Sequence, residues 1–338
     1  IVGYVGSKDT QEVLVEGLSR LEYRGYDSSG IAVLSKKEIF LARALGKLSE
    51  LKKKLSKKHL SGGAGIGHTR WATHGKPSEM NAHPQKDCKG KIVVVHNGII
   101  ENYAELKALL NKEGHLFESE TDTEVIAHLI EKHYSAGLFD AVKKAIGELR
   151  GSYALAVICA GEPDTIIACR KDSPLVVGIG KNENFLASDV QGMLKYTRDV
   201  VYLEDSQIAV LKKNSVQIYN TDGSKAECCV RKILWDSIMA EKSGYKHFML
   251  KEIHEQPESV LNTLRSQFSI AQNRFELSKV NLSREFLKKI NKINIIACGT
   301  SYHAGLVGKY LIEELVEIPV HVEIASEYRY RRLLLGRN

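Results

Sequence analysis

Short apolar or alternating runs of residues recur along the first two thirds of the chain. Runs of about four to eight residues bounded by turn-forming residues are typical of β-strands. They predict strands at residues 1–5, 30–34, 64–68, 92–96, 152–159, 165–170, 175–179, 184–187, 200–203, 208–211 and 216–219. A Gly-Glu-Pro-Asp break at residues 161–164 separates two of them and predicts a hairpin turn.

Helical periodicity, with apolar side chains every three or four positions, is limited to a few segments of the same region. It predicts helices at residues 10–21, 103–111, 122–134 and 138–149. Because strands mostly follow strands, the pattern favours an α+β fold with two sheets over repeated βαβ units.

The pattern changes near residue 235. Residues 236–247 are largely polar and include Gly244, and we interpret them as a linker between a domain at 1–235 and a second domain at 248–338. In the second domain, helices are predicted at 248–264 and 283–290, and then a strand, a tight loop, a helix and a strand at 292–297, 298–301, 302–316 and 320–324. One βαβ unit cannot close a doubly wound sheet, so we expect the second domain to be truncated.

Composition narrows the class of protein. The chain has 338 residues, of which 43% are hydrophobic and 26% charged, the balance of a globular protein with about two domains. Neither an apolar run long enough for a membrane span nor a secretory leader is present, so we expect a cytoplasmic protein without membrane contact. The chain begins with Ile1 and not with Met, from which we expect that residues upstream have been removed or left out.

The charge pattern argues against a nucleic-acid-binding protein, and the spacing of the cysteines and histidines argues against a metal-binding protein. The net charge is +7, and a lysine cluster at residues 47–58 is assigned to the solvated face of a helix, because no aromatic residues interleave with it as in a nucleic-acid groove. The six cysteines lack the Cys-x-x-Cys spacing of zinc or redox sites. Four histidines also lack the spacing of a zinc-binding helix, so we expect no metal at His68, His74, His83 and His96.

Four segments carry polar residues beside predicted strand ends, where a pocket can form: residues 21–30, 68–75, 95–98 and 120–124. Arg70 can bind a carboxylate in fork geometry, and Asp122 can pair with an ammonium group, as a zwitterionic amino acid requires. The Asn97 amide and the Gly98 N–H can stabilise the oxyanion that forms when the side-chain carboxamide of glutamine is attacked.

Each of these residues has a simpler interpretation when it is taken alone. An Asn97-Gly98 pair is a strong signal for a plain hairpin turn. Asp122 precedes a predicted helix and can be its N-cap. Trp71 is of a type found more often in a core than at a gate.

Five segments, in their order and spacing, resemble the glutaminase domain of glucosamine-6-phosphate synthases: residues 22–28 (EYRGYDS), 68–75 (HTRWATHG), 81–84 (NAHP), 96–102 (HNGIIEN) and 119–124 (SETDTE). The resemblance runs from residue 1 to about residue 235. It resumes in the sugar-isomerase half of that family at residues 251–257, 297–301 and 323–331.

The resemblance implies an N-terminal-nucleophile hydrolase fold, an αββα sandwich, followed by the start of a doubly wound α/β sugar-isomerase (SIS) domain. It implies an aminotransferase that makes glucosamine 6-phosphate from fructose 6-phosphate and L-glutamine, without a cofactor and as a homodimer when full length. The nucleophile would be a cysteine two positions before Ile1, with its own α-amino group as the base.

The resemblance also assigns roles to residues. Asn97 and Gly98 would form the oxyanion hole, and Arg70 and Asp122 would hold the zwitterion. Thr73 and His74 would line the pocket. Closure of the site would fall to Trp71, Arg24 and Tyr26, and binding of the sugar phosphate to Thr300 and Ser301. Without the resemblance, residues 299–301 are an ordinary helix cap as readily as a phosphate site.

Two other functions remain open from the sequence. One is a different amidotransferase with an N-terminal cysteine, such as the enzyme that acts on phosphoribosyl pyrophosphate, which the isomerase-like segments disfavour. The other is a non-catalytic glutamine-binding module, because the chain begins after the expected cysteine.

Overall fold

The computed structural model describes residues 1–71, 75–233, 245, 247–265, 268–269, 274–275 and 284–330. The chain has two compact units, Ile1–Gly244 and Tyr245–Asn338. The predicted linker, residues 236–247, lies almost entirely outside the described residues. The predicted domain boundaries at residues 235 and 248 therefore stay a prediction.

Two antiparallel sheets form the body of the first unit. The larger sheet has the strand order β15-β11-β9-β10-β1-β4-β2-β3, and the smaller has the order β14-β13-β12-β8-β7-β6-β5. The strands are β1 (Val2–Val5), β2 (Ser28–Ser35), β3 (Glu38–Leu45), β4 (Ala64–Arg70), β5 (Gln85–Lys86), β6 (Ile92–Ile100), β7 (Gly151–Cys159), β8 (Thr165–Lys171), β9 (Val176–Ile179), β10 (Asn184–Ala187), β11 (Asp199–Tyr202), β12 (Gln207–Lys212), β13 (Ser215–Asn220), β14 (Lys225–Ala226) and β15 (Arg231–Lys232).

Helices cover the outer faces of both sheets. They are α1 (Thr10–Leu21), α2 (Leu48–Leu55), α3 (Tyr103–Lys112), α4 (Thr123–His133) and α5 (Leu138–Glu148). Helices α1 and α2 pack on the larger sheet, and helices α3 to α5 pack on the smaller one. Leucines of α2 are buried while its lysines face solvent, which confirms the predicted solvated helix face.

Strand β6 shows how both faces of a sheet become buried. Val93 and Val95 pack into the layer between the two sheets, whereas Ile92 and Val94 pack against the helices. This follows from the period of two along a strand, which sends successive side chains to opposite faces. The first unit is therefore a four-layer αββα sandwich, and the predicted fold is confirmed.

Strands β3 and β6 differ from the prediction. Strand β3 was not predicted, because it is a half-buried edge strand whose alanines are poor strand formers. Strand β6 was expected to end at residue 96, but it continues to Ile100 because Asn97 and Gly98 pair with Ala154 and Tyr153 of β7. The Asn-Gly pair thus lies within a strand, and the hairpin-turn interpretation is wrong.

The second unit contains a βαβ unit, as predicted. Strands β18 (Ile293–Ala297) and β19 (Val320–Ile324) pair in parallel and are joined by helix α8 (Gly299–Val316). The helix begins at Gly299, so part of the predicted loop forms its first turn. The other elements are α6 (Phe248–Arg265), β16 (Phe268–Ser269), β17 (Arg274–Phe275), α7 (Arg284–Leu287) and α9 (Ala325–Tyr330). Among the described residues, no helix combines the length and apolarity that a bilayer span needs.

Candidate active site

A cavity of about 240 Å³ lies in the first unit, where β4 and β6 end near the start of α4. Its volume is slightly below the roughly 300–1,000 Å³ of pockets for drug-sized ligands, which suits a single amino acid. Four residues predicted from the sequence to bind or activate glutamine line it together. The described lining residues are Ile1, Leu21, His68, Thr69, Arg70, Trp71, His83, His96, Asn97, Gly98, Asp122, Thr123 and Ser188.

The Asn97 side chain is oriented by a buried histidine. His68 Nε2 lies 2.8 Å from Asn97 Oδ1. Burial holds the pKa of His68 well below its usual range, so the ring is neutral at pH 7. Because Oδ1 carries no hydrogen, Nε2 donates in this contact. The Nδ2 hydrogens are then what Asn97 can offer to a ligand.

Gly98 occupies a position that only glycine fits. Its φ of +126° is in a region that side chains with a Cβ rarely adopt. A Cβ placed there would lie 2.1 Å from the carbonyl oxygen of Ser152 on the neighbouring strand β7. The backbone next to Asn97 is therefore fixed in a shape that a larger residue would disrupt.

Arg70 is the last residue of β4 and is only 4% exposed. Its Nη2 donates a hydrogen bond to the Gly75 carbonyl oxygen at 3.2 Å. Burial lowers the pKa of Arg70, and the nearby carboxylates of Asp122 and Asp27 act in the opposite direction. The guanidinium and Asp122 thus lie close enough to interact across the cavity.

Asp122 occupies the N-cap position of α4, but its side chain makes no capping hydrogen bond. Instead, Oδ2 accepts a hydrogen bond at 2.9 Å from the backbone N–H of Ile100, the last residue of β6. The capping interpretation of this side chain is therefore wrong. The bond ties the start of α4 to the strand that carries Asn97.

The amino end of the chain lies at the same cavity. Ile1 is 3% exposed, and its amine donates a hydrogen bond to Ser188 Oγ at 3.0 Å. The Ser188 N–H donates in turn to the Ile1 carbonyl oxygen at 3.1 Å. Sequence reasoning missed Ser188, whose only signal is a polar residue directly after the fully buried strand β10.

Three residues beneath the cavity were also missed as parts of the site. Thr123 Oγ1 lies 2.9 Å from His96 Nδ1 and 3.2 Å from His83 Nε2. The rings of His83 and His68 lie with their centroids 4.3 Å apart and their planes tilted by 35°. From the sequence, these histidines were weighed only as metal ligands, whereas in the structure they are buried beside the cavity and hydrogen-bonded to Thr123.

An aromatic pair lies at the rim. Trp71 and Tyr26 are 60% and 49% exposed, and their rings meet edge to face with centroids 5.6 Å apart. Trp71 lines the cavity and is not a core residue, so that alternative is wrong. Arg24 ends a short 3₁₀ helix just before Tyr26, but its side chain lies outside the described part of the chain, as do Thr73 and His74.

The predicted phosphate residues lie in the second unit. Thr300 and Ser301 are exposed in the first turn of α8, and Cys298 at the N-cap makes no side-chain capping bond. The first N–H groups of a helix have no partner within the helix and favour anions.

Comparison with known proteins agrees with these features. A family model described as a glutamine amidotransferase domain matches residues 68–195, and an SIS domain model matches residues 286–338. Glutamine–fructose-6-phosphate aminotransferase (isomerizing) of Clostridium tetani is 49% identical over 338 residues, all of this chain and 55% of the relative. Its counterpart of Caldanaerobacter subterraneus is 52% identical over 99% of this chain and 55% of the relative.

The chain contains a glutamine amidotransferase domain and an SIS domain, and over its whole length it is similar to these aminotransferases. The chain spans about half the length of the curated relatives it matches. The aminotransferase of Thermotoga maritima, for example, is 50% identical to this chain, which covers 54% of that relative's length. The resemblance seen in the sequence is confirmed.

Solved structures of similar fold support the architecture of the first unit. Glutamine phosphoribosylpyrophosphate amidotransferase from B. subtilis, with ADP and GMP, has a TM-score of 0.59 at 19% identity, covering 95% of this chain and 65% of that one. An allosteric regulatory enzyme of purine biosynthesis has a TM-score of 0.58 at 24% identity, covering 65% and 48%. At such identities the likeness concerns the fold alone.

Proposed function

We propose that this chain acts in a glutamine-dependent aminotransferase that converts L-glutamine and fructose 6-phosphate to glutamate and glucosamine 6-phosphate. The observation that carries the proposal is the cavity in which Arg70, Asp122, Asn97 and Gly98 lie beside the buried amino end of the chain. The names of the relatives point to the same reaction.

In this proposal, Arg70 and Asp122 hold the two charges of the glutamine backbone. The planar guanidinium suits a carboxylate, and the Asp122 carboxylate suits an ammonium group. Arg70 ends strand β4, and the Ile100 N–H holds the Asp122 carboxylate at the start of α4, so a ligand would meet side chains that are already positioned. Thr73 and His74 would complete the lining.

The nucleophile in this proposal is a cysteine two positions before Ile1. Two residues span at most roughly 7 Å, so its thiolate would reach the cavity from the Ile1 amine. Attack on the glutamine carboxamide carbon forms a tetrahedral oxyanion that accepts hydrogen bonds from Asn97 Nδ2 and the Gly98 N–H. The cysteine's α-amino group, with an ordinary pKa of about 7.7–8.0, takes the thiol proton and passes it to the carboxamide nitrogen, which leaves as ammonia. Water then hydrolyses the thioester and releases glutamate.

Ammonia must reach the sugar without being protonated by water. Trp71 and Tyr26 form an exposed aromatic pair at the rim, and we assign them, together with Arg24, to closure of the site. Closure that excludes water keeps ammonia neutral and nucleophilic.

Thr300 and Ser301 would bind the phosphate of fructose 6-phosphate at the start of α8. We further propose that the full-length enzyme is a homodimer that works in the cytoplasm. All six cysteines are free thiols, in keeping with a reducing compartment.

The test is a product assay on the full-length protein. With L-glutamine and fructose 6-phosphate, we expect glutamate and glucosamine 6-phosphate in equal amounts. Stabilisation by glutamine in a thermal shift experiment without any glutamate production would favour the non-catalytic binding module. Amination of phosphoribosyl pyrophosphate instead of the fructose phosphate would favour the other amidotransferase.

Replacing Asp122 with asparagine should raise the KM for glutamine by about 10–100-fold, with a smaller change in kcat. A hydrogen bond to a charged group contributes about 1.5–3 kcal/mol, and the asparagine carbonyl can still accept from the Ile100 N–H, so the fold is kept. Steady-state glutaminase kinetics measure the change. Asp140→Asn, at an exposed acid in the first turn of α5, is the matched control. An unchanged KM would leave Asp122 with a purely local structural role.

A further inference from the structure

A second group of polar side chains lies outside the glutamine cavity. Its members bring a thiol, two imidazoles and a carboxylate together, with one ligand atom of each within 4.8 Å of the others. They come from the turn between β5 and β6, the loop after α3, and one face of α4. We call this group the Cys88 cluster: Cys88, His115, His128 and Glu131.

Two distances from the Cys88 sulfur match those of a tetrahedral zinc site. Cys88 Sγ lies 3.4 Å from His128 Nδ1 and 3.6 Å from His115 Nδ1. Zinc bonds of about 2.3 Å to sulfur and about 2.05 Å to nitrogen place those two atoms about 3.5 Å apart in a tetrahedral site. The two sulfur–nitrogen separations are thus already close to the value that zinc requires.

The Glu131 carboxylate can supply the fourth ligand of the tetrahedral site. Glu131 Oε2 lies 3.1 Å from His115 Nδ1 and 3.6 Å from His128 Nδ1. The corresponding nitrogen–oxygen edge of a tetrahedral zinc site is about 3.3 Å. The Cys88 N–H also donates to Glu131 Oε2 at 3.3 Å, which holds the cysteine beside the helix.

We propose that the Cys88 cluster binds one structural Zn²⁺ ion. Thiolate and imidazole ligands select zinc over Mg²⁺ and Ca²⁺, which prefer oxygen ligands. Four protein ligands leave no open position for water or substrate, which is typical of structural and not catalytic zinc.

The contact of one proposed ligand, His128, with a second carboxylate supports the assignment. His128 is 1% exposed and presents Nδ1 to the cluster, while its Nε2 faces Glu124 Oε1 at 3.6 Å. Glu124 is held by hydrogen bonds of 2.7 Å from the Ser119 N–H and hydroxyl and the Glu118 N–H. A carboxylate that orients the second nitrogen of a ligating histidine is a recurrent feature of zinc sites.

The ion would clamp three segments that are far apart in sequence. Cys88 and His128 are 40 positions apart, and α4 begins beside Asp122 and Thr123 of the glutamine cavity. Metal that binds only the folded state stabilises it. The site therefore stabilises the helix that carries one side of the cavity. The expectation of no metal from the sequence rested on other histidines, and the His-x-x-Glu spacing on α4 was overlooked.

Metal analysis of the full-length protein, produced with zinc in the medium, tests the proposal. We expect about one zinc per chain, and near-complete loss of zinc in Cys88→Ser and His115→Ala. Cys229→Ser, at another exposed cysteine, and His59→Ala, at an exposed histidine paired with Asp9, should keep the metal. Equal zinc content in parent and Cys88→Ser would overturn the proposal.

A second measurement does not depend on the variants folding. Removal of zinc with a chelator should lower the Tm of the parent by on the order of 5 °C or more, and Zn²⁺ but not Mg²⁺ should restore it. Replacement by Co²⁺ should give the intense visible bands of a tetrahedral site with a thiolate-to-cobalt charge-transfer band. A Tm indifferent to Zn²⁺, or a cobalt spectrum without that band, would contradict the site.

Discussion

Replacing Asn97 with alanine should lower glutamine turnover in the full-length enzyme by about 10²–10³-fold, equivalent to about 3–4 kcal/mol of activation free energy. The expected cause is loss of one of two donors to the oxyanion. His68 fixes the amide before substrate arrives, so the donor needs no reorganisation during the reaction. Because the oxyanion exists only along the reaction path, kcat should fall far more than KM rises.

The control for this variant is Asn111→Ala, at an exposed asparagine near the end of α3. It should leave both kinetic constants within about twofold of the parent. Steady-state glutamate production and the Tm of each variant are measured together, so that a loss of fold is separated from a loss of chemistry. A normal kcat for Asn97→Ala would remove this residue from the oxyanion hole.

Replacing Gly98 with alanine should destabilise the first unit by about 2–6 kcal/mol. Backbone strain at a positive φ costs about 1–3 kcal/mol, and forcing a methyl group into occupied space costs about as much again. The clash is with the Ser152 carbonyl in a paired strand, which cannot move without breaking the β6–β7 ladder. At about 2–4 °C per kcal/mol, the Tm should fall by about 5–20 °C, and glutamine hydrolysis should be lost.

Gly147→Ala is the matched control for the same chemical change. Gly147 is exposed near the end of α5, and a Cβ added there meets no atom within 4 Å. Because alanine is the better helix former, this variant should be more stable by about 0.5–1 kcal/mol. Chemical denaturation of both variants measures the difference, and a Gly98→Ala protein as stable as the parent would show that β6 can relax.

Much of the first unit could be predicted because its strands and helices carry strong local patterns. The predicted helix at residues 10–21 matches α1, and the hairpin after β7 forms where Gly, Pro and Asp interrupt two apolar runs. Strand β3 could not be found in this way, because its register is set by pairing with β2 and not by its own weakly patterned sequence. The extension of β6 past residue 96 likewise depends on backbone partners supplied by β7.

Some residues of the candidate site could likewise be predicted from the sequence, and others could not. Arg70, Asp122 and Asn97 could be proposed because charged or amide side chains at strand ends suit a zwitterionic amide. Ser188 could not, because its place beside Ile1 follows from the pairing of β1 with β10, which brings together residues 187 positions apart. The residues next to Ser188 in the sequence do not indicate such long-range pairing.

A crystal structure of the full-length protein with the product L-glutamate bound shows directly whether these residues grip one amino acid. We expect the α-carboxylate on the Arg70 guanidinium and the α-ammonium on Asp122. We also expect the side-chain carboxylate within about 3.2 Å of Asn97 Nδ2 and the Gly98 N–H. Glutamate bound elsewhere, or reversed so that its α-carboxylate meets Asn97, would show that the cavity does not bind glutamine in this way.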